Sequence, residues 1–435
     1  MTIIQFDGRR RRKISPVSAN SLFNTHIPLF SDDIFVEYTK ARLLQGPQVV
    51  NIVLPSGIDR SLFNKAFLAL ATTFFGVEHK EKGILSQGLL QYGDALSDVH
   101  KALGDPSRRN SYDLLESIAV MTLFEVPCFR FPSFFLISDN EYGWLSHTEG
   151  LERLISLRGS ESFKTYPNYI ILQNYRPSII LSCILLRKHT ILSKPEWKSI
   201  PWSLYPDAKT DMQFLVDILA DCPGLFVQRE EIESSSPPSD RSVGYAKLRK
   251  NISDVLDQLN QWEQNWEKNN TGYSYEVPSP VTTPILVDSW GRSVPAWETV
   301  IEYESLYHAN TVVVYHATVI LVQVLANQLV FSNATPLYSQ NEGSFPDRTF
   351  AAGLAICRSV EYHLQSMRKG AGSFFLLFPL RMAYDAIGRT NPQIGVWLQS
   401  VLQQIQDGKT GRWGTAKYLL DIKPQRKRMN APGFI

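Results

Sequence analysis

Residues 248–266 read Leu248-Arg-Lys-Asn-Ile-Ser-Asp-Val-Leu-Asp-Gln-Leu-Asn-Gln-Trp-Glu-Gln-Asn-Trp266. Leu248, Ile252, Val255, Leu256, Leu259, Trp262 and Trp266 recur mostly at steps of three and four. The positions between them are mainly Lys, Asn, Asp, Gln and Glu. This spacing draws one apolar stripe along a helix of 3.6 residues per turn. Trp262 and Trp266 lie on the stripe and are read as core.

The same period extends outward from this helix. Toward the N-terminus it predicts helices from Ser61, over 84–103, over 111–125, over 145–158 and over 169–187. Gly104 and Pro106 stop the second, and Gly159 closes the fourth. Pro177 lies inside the fifth, so a kink or break is expected at Arg176. Toward the C-terminus, Pro295 reads as a helix opener and the helix runs to about Val330. Further helices follow near 348–368, 373–388, 393–406 and 415–421. Gln48–Val53 is the single short strand candidate. The expected class is all-α, a layered antiparallel helical bundle.

The 435 residues divide into a basic arm over 1–30, a first helical half over 31–228 and a linker or loop over 229–240. A second helical half over 241–421 and a basic tail over 422–435 complete the chain. With 44% apolar and 20% charged residues, a globular core is expected rather than disorder. Net charge is +2, but Arg9, Arg10, Arg11, Arg12 and Lys13 carry +5 of it. Lys423, Arg426, Lys427 and Arg428 carry +4, which leaves −7 for the rest. Any phosphate contact should therefore run through the ends. Arg9–Lys13 has two readings, a nuclear-import or nucleic-acid run and a merely solvated tail.

The four cysteines, Cys128, Cys183, Cys222 and Cys357, are nowhere closer than 39 positions, which excludes a cysteine-dense disulfide scaffold. They also form no Cys-x2-Cys pair for a metal. The apolar stretches 170–186 and 311–330 are interrupted by polar residues, so no membrane span is expected. His308 and His316 stand two helical turns apart and are read as core or interface rather than metal ligands. Gly408-Lys409-Thr410 lacks the earlier glycine of a phosphate-binding loop, and no Gly-x-Ser-x-Gly elbow occurs. No catalytic, cofactor-binding or metal-ligating residue is singled out.

Ordered motifs from Ala66 to Trp197 resemble the regulatory domain of fungal zinc-cluster transcription factors. The opening helix Ala66–Phe75, the Tyr92-Gly-Asp-Ala-Leu96 segment and Leu114–Glu125 carry the first part of the resemblance. Its most specific part is Trp144-Leu-Ser-His-Thr-Glu-Gly-Leu-Glu-Arg-Leu-Ile-Ser-Leu-Arg-Gly159. Arg176–Arg187 and Pro195-Glu-Trp197 follow at the family's distances. Trp144, His147, Gly150, Arg158, Gly159, Arg176 and Trp197 are thereby marked as structural motif residues. Gly150 is expected to allow close helix approach, Gly159 to cap its helix and His147 to hydrogen-bond within the bundle.

The resemblance implies an all-α regulatory body in the nucleus that acts through a small-molecule effector, a protein partner or a homodimer. It implies no catalysis. The family's cofactor is zinc, held by six cysteines ahead of this domain. No cysteine precedes Cys128, so zinc binding and DNA reading do not carry over to these residues. DNA contact is expected only indirectly or through the basic ends. The alternative is a helical scaffold repurposed as a small-molecule-binding protein or enzyme in a secondary-metabolite pathway. Val126–Tyr142 departs from the family with Pro-Cys-Phe-Arg-Phe-Pro-Ser-Phe-Phe-Leu-Ile, a run too apolar for an ordinary exposed loop. It reads as a segment docked on the bundle, a partner patch or a retained intron.

Overall fold

The structure, a computed structural model, describes residues 31–43, 61–109, 111–128, 143–166, 168–234, 238–287, 290–330, 345–365 and 369–406. Both basic runs, the strand candidate 48–53, most of the Phe-rich stretch (129–142) and the helix expected over 415–421 lie outside them.

The fold is all-α with two small hairpins. Helices α2 (Ser61–His79) and α3 (Lys82–Gly104) make the most extensive helix pair. A Cβ on Gly88 would stand 2.6 Å from the Thr73 backbone nitrogen, so only glycine lets these two backbones come so close. α1 (Ser31–Leu43) packs on α2 through Phe35 and Tyr38, whose rings meet Phe75. α4 (Tyr112–Cys128) also packs on α2. The buried Asp113 carboxylate of α4 accepts hydrogen bonds from the Leu62 and Phe63 N–H groups at 3.2 and 3.0 Å. These are unpaired first-turn donors at the end of a helix that favours negative charge.

α5 (Gly143–Arg158) packs between α4 and α6 (Asn168–Leu186). Short 3-10 turns and α7 (Pro195–Ser199) lead to α8 (Asp211–Leu219), α9 (Cys222–Ser234) and α10 (Pro238–Asn269). α11 (Leu306–Val330) packs against α8, α10, α12 (Phe345–Leu364) and α13 (Lys369–Ala383). A π-helical turn at Tyr384–Gly388 and α14 (Pro392–Gln406) follow. One continuous apolar cluster reaches from Leu62 to Ile405. α6 and α11 are long and apolar enough by composition to cross a membrane, yet α11 is 83% buried among its neighbours.

Three expectations change. Residues 270–305 are neither plain loop nor the start of a long helix. β1 (Ser274–Pro278) pairs antiparallel with β4 (Thr299–Tyr303), with Ser274 opposite Tyr303. Between them β2 (Ile285–Val287) pairs with β3 (Ser293–Pro295). Thr299-Val-Ile is β-branched and buries Val300, which suits a pleated strand. Pro295 therefore ends a strand, and α11 starts after Ser305, whose hydroxyl accepts from the His308 N–H at 3.4 Å. The expected linker 229–240 holds the end of α9 and the start of α10, with Pro238 in the first turn. α6 is not broken at Arg176. Pro177 cannot donate to the Gln173 carbonyl, and the Gln213 side-chain amide donates there instead at 3.4 Å.

Candidate functional site

The motif residues fall on α5, α6 and the turns between α6 and α8, where they build two buried polar nodes. On α5, Thr148, Leu151, Glu152 and Ile155 share one face and all are buried. Glu152 is a carboxylate on an otherwise apolar stripe. It accepts from the Thr190 hydroxyl at 2.6 Å and the Ile191 N–H at 3.0 Å. The Cys183 thiol donates to it at 3.5 Å, and Lys188 Nζ lies 3.5 Å away. One anion thus meets a full set of donors, as a buried charge must. Burial and the Glu152 charge push the Cys183 thiol up to about 12, so it is inert at neutral pH. Burial also raises Cys222 and Cys357.

The other motif residues of α5 act as ties. His147 Nε2 hydrogen-bonds the Tyr92 hydroxyl at 2.9 Å and joins α5 to α3. Arg158 donates to the Ser111 carbonyl just before α4, and burial lowers its pKa. Gly159 has φ +72°, a conformation that glycine adopts without strain, and it ends the helix. Gly150 differs from expectation. A Cβ there would meet nothing within 4 Å, so no close approach depends on it. Trp144 lies in the first turn of α5. Trp197 is buried on α7, its ring 5.7 Å from that of Phe163.

Arg176 forms the second node. Its side chain is completely buried on α6, donates to the Asp217 carboxylate and reaches Gln213 Oε1 at 3.1 Å. Its guanidinium carbon stands 4.9 Å from the Trp202 ring centre, a cation–π contact. Lys209 Nζ shares Asp217 at 2.5 Å and donates to the Lys198 carbonyl at 2.6 Å. It also lies 5.0 and 4.5 Å from the rings of Trp202 and Phe214. Lys198 in turn pairs with Asp221 at 2.6 Å. Burial lowers Arg176 and Lys209 and raises Asp221.

The structure brings Arg176 together with residues that the sequence reading left unmarked: Trp202, Lys209, Gln213 and Asp217. Charged residues on buried helical faces were the available signal, since Arg176 is four after Leu172 and Asp217 four after Gln213. His308 is held by the Ser305 hydroxyl at 2.9 Å. Among the described residues, no three His, Cys, Asp or Glu side chains are grouped to hold a metal ion. The arrangement provides buried ties between helices and places no low-pKa thiol beside a base.

A family model for the fungal specific transcription factor domain matches residues 14–329, well over half of the sequence. The match takes in every motif residue on α5, α6 and α7 and ends one residue short of the end of α11. No curated protein and no solved structure matches the chain. The helices that carry the two nodes are thus the ones that the family model recognises, and the chain belongs to the fungal specific transcription factor domain family.

Proposed function

We propose that this chain regulates transcription through its helical body, by binding an effector or a protein partner in the nucleus, without catalysing a reaction. The observation that supports this reading is the family match across residues 14–329. It covers the helices on which motif residues tie α5 to α3 and to the start of α4, and α6 to α8. These ties fix one packing of the helices, and an effector would shift it only as far as it binds a second packing differently. In this reading Arg9–Lys13 supplies nuclear import, and DNA is reached through the basic ends or a partner.

The test is a tethered reporter. The chain is fused to an unrelated DNA-binding module in fungal cells, and reporter output is compared with the module alone. The expected result is a several-fold change in either direction. Output equal to the module alone, with the fusion present in the nucleus, would contradict the proposal. Replacing Arg9–Lys13 by alanines in the untethered chain is expected to shift it out of the nucleus.

A further inference from the structure

The Arg176 node holds an excess of positive charge. Three cations, Arg176, Lys198 and Lys209, are paired with two carboxylates, Asp217 and Asp221. Asp217 alone serves both Arg176 and Lys209. Two donors on side chains of this cluster lack an acceptor among the described residues: Arg176 Nε and Trp202 Nε1. Both belong to side chains that are nine-tenths or more buried, and the guanidinium sits over the Trp202 ring. Buried N–H groups ordinarily have partners, so two unmatched donors beside surplus positive charge call for an acceptor that carries negative charge. The cluster also has an edge toward solvent. Lys209 and Asp217 are 12% and 13% exposed, and Phe214 beside Lys209 is 48% exposed.

We infer that the Arg176–Trp202–Lys209 cluster binds one small monoanion, a halide ion or the carboxylate of an acidic ligand. One surplus positive charge sets the ligand charge at −1. The N–H groups of Arg176 and Trp202 and the ammonium of Lys209 supply hydrogen bonds to it, with the buried Trp202 ring limiting water on one side and the Phe214 edge leaving a way in from solvent. Repulsion from Arg176 and Lys198 adds to burial in lowering Lys209, and a bound anion would relieve it. This inference stands apart from the role in transcription, since binding is read on the purified chain without any promoter.

The experiment is thermal unfolding of the full chain while sodium chloride, formate or acetate replaces sodium 2-morpholinoethanesulfonate, whose anion carries no carboxylate, at constant ionic strength. A ligand that binds only the folded state raises the melting temperature saturably. The expected result is such a rise with at least one small monoanion. Saturation with chloride assigns a halide site, and saturation only with formate or acetate assigns a carboxylate site. Trp202→Phe removes one donor and is expected to move the midpoint about tenfold, the scale of one lost hydrogen bond. Lys198→Gln removes the surplus charge at a partly exposed position and is expected to abolish the response. A wild-type melting temperature that does not change with the anion would overturn the inference. So would a response of wild-type size and midpoint in Lys198→Gln, and this second variant decides the matter should Trp202→Phe fail to fold.

Discussion

Glu152 and Arg176 are both buried charges on apolar helical faces, yet their surroundings differ. Glu152 is one anion with a hydroxyl, a backbone N–H, a thiol and a half-exposed lysine around it. Arg176 is a cation whose counter-ion Asp217 also serves Lys209. The first node is redundant, because several neutral donors share the load. The second depends on a single carboxylate. Losing a partner should therefore hurt the second node more, since a buried charge without compensation is far more costly than a missing neutral hydrogen bond.

Asp217→Asn is the strongest way to break this comparison. It strands Arg176 and Lys209, and should lower folding stability by about 3–5 kcal/mol in chemical denaturation. Glu152→Gln keeps an acceptor for Thr190 and Ile191, and Lys188 can turn to solvent. A smaller loss of about 1.5–3 kcal/mol is expected from the same measurement. Equal losses for the two variants would remove the distinction between the nodes.

Asp221 sharpens the comparison through pH. Burial raises its pKa in the folded state, with Lys198 opposing the shift. The folded protein therefore holds this proton more tightly than the unfolded chain. Its favourable contribution is complete below the ordinary carboxylate pKa and is lost as pH rises through the raised folded value. Relative to Asp221→Asn, the wild type should lose stability over that rise, by about 1 kcal/mol or less because the pair is partly exposed. Denaturation of both proteins across the acid range checks the sign.

The smallest effect is expected at Arg187, the left-handed residue (φ +52°) that leads into Lys188 of the Glu152 node. Arg187→Gly relieves the backbone cost but loses the contact with the Phe226 ring, 4.4 Å away. The two nearly cancel, and a change within about 0.5 kcal/mol is expected. A larger loss would mean that this turn holds the node together.

The two nodes also mark how far the sequence could be read. α2, α3, α5 and α10 were legible because each buries one stripe whose period is local. The stripe Leu248–Trp266 is buried throughout, and Trp262 and Trp266 stack at 5.4 Å as core residues. The family resemblance was legible for the same reason, since its motif from Trp144 to Gly159 is contiguous. The hairpins were not legible. Strands of three to five residues, rich in Pro, Thr and Ser, carry too short an alternation to separate from loop. The contact that lets α6 run through Pro177 joins Gln173 to Gln213, 40 positions away, and the Arg176–Asp217 pair spans 41. Such pairings depend on which helices meet, and no local period encodes that. The motif position of Gly150 suggests a helix crossing, whereas the α2–α3 approach is one that does need glycine, at Gly76 and Gly88, where a Cβ would stand 2.6 Å from a facing backbone nitrogen.

The central claim, that this chain is a transcription regulator of the fungal family, is tested most directly by RNA profiles of its native host. Cells lacking the chain are compared with cells restored with the wild type and with Asp217→Asn. The account predicts a defined set of transcripts that changes on loss, returns with the wild type and does not return with the destabilised variant. Profiles that are the same with and without the chain, under conditions where it is expressed, would contradict it.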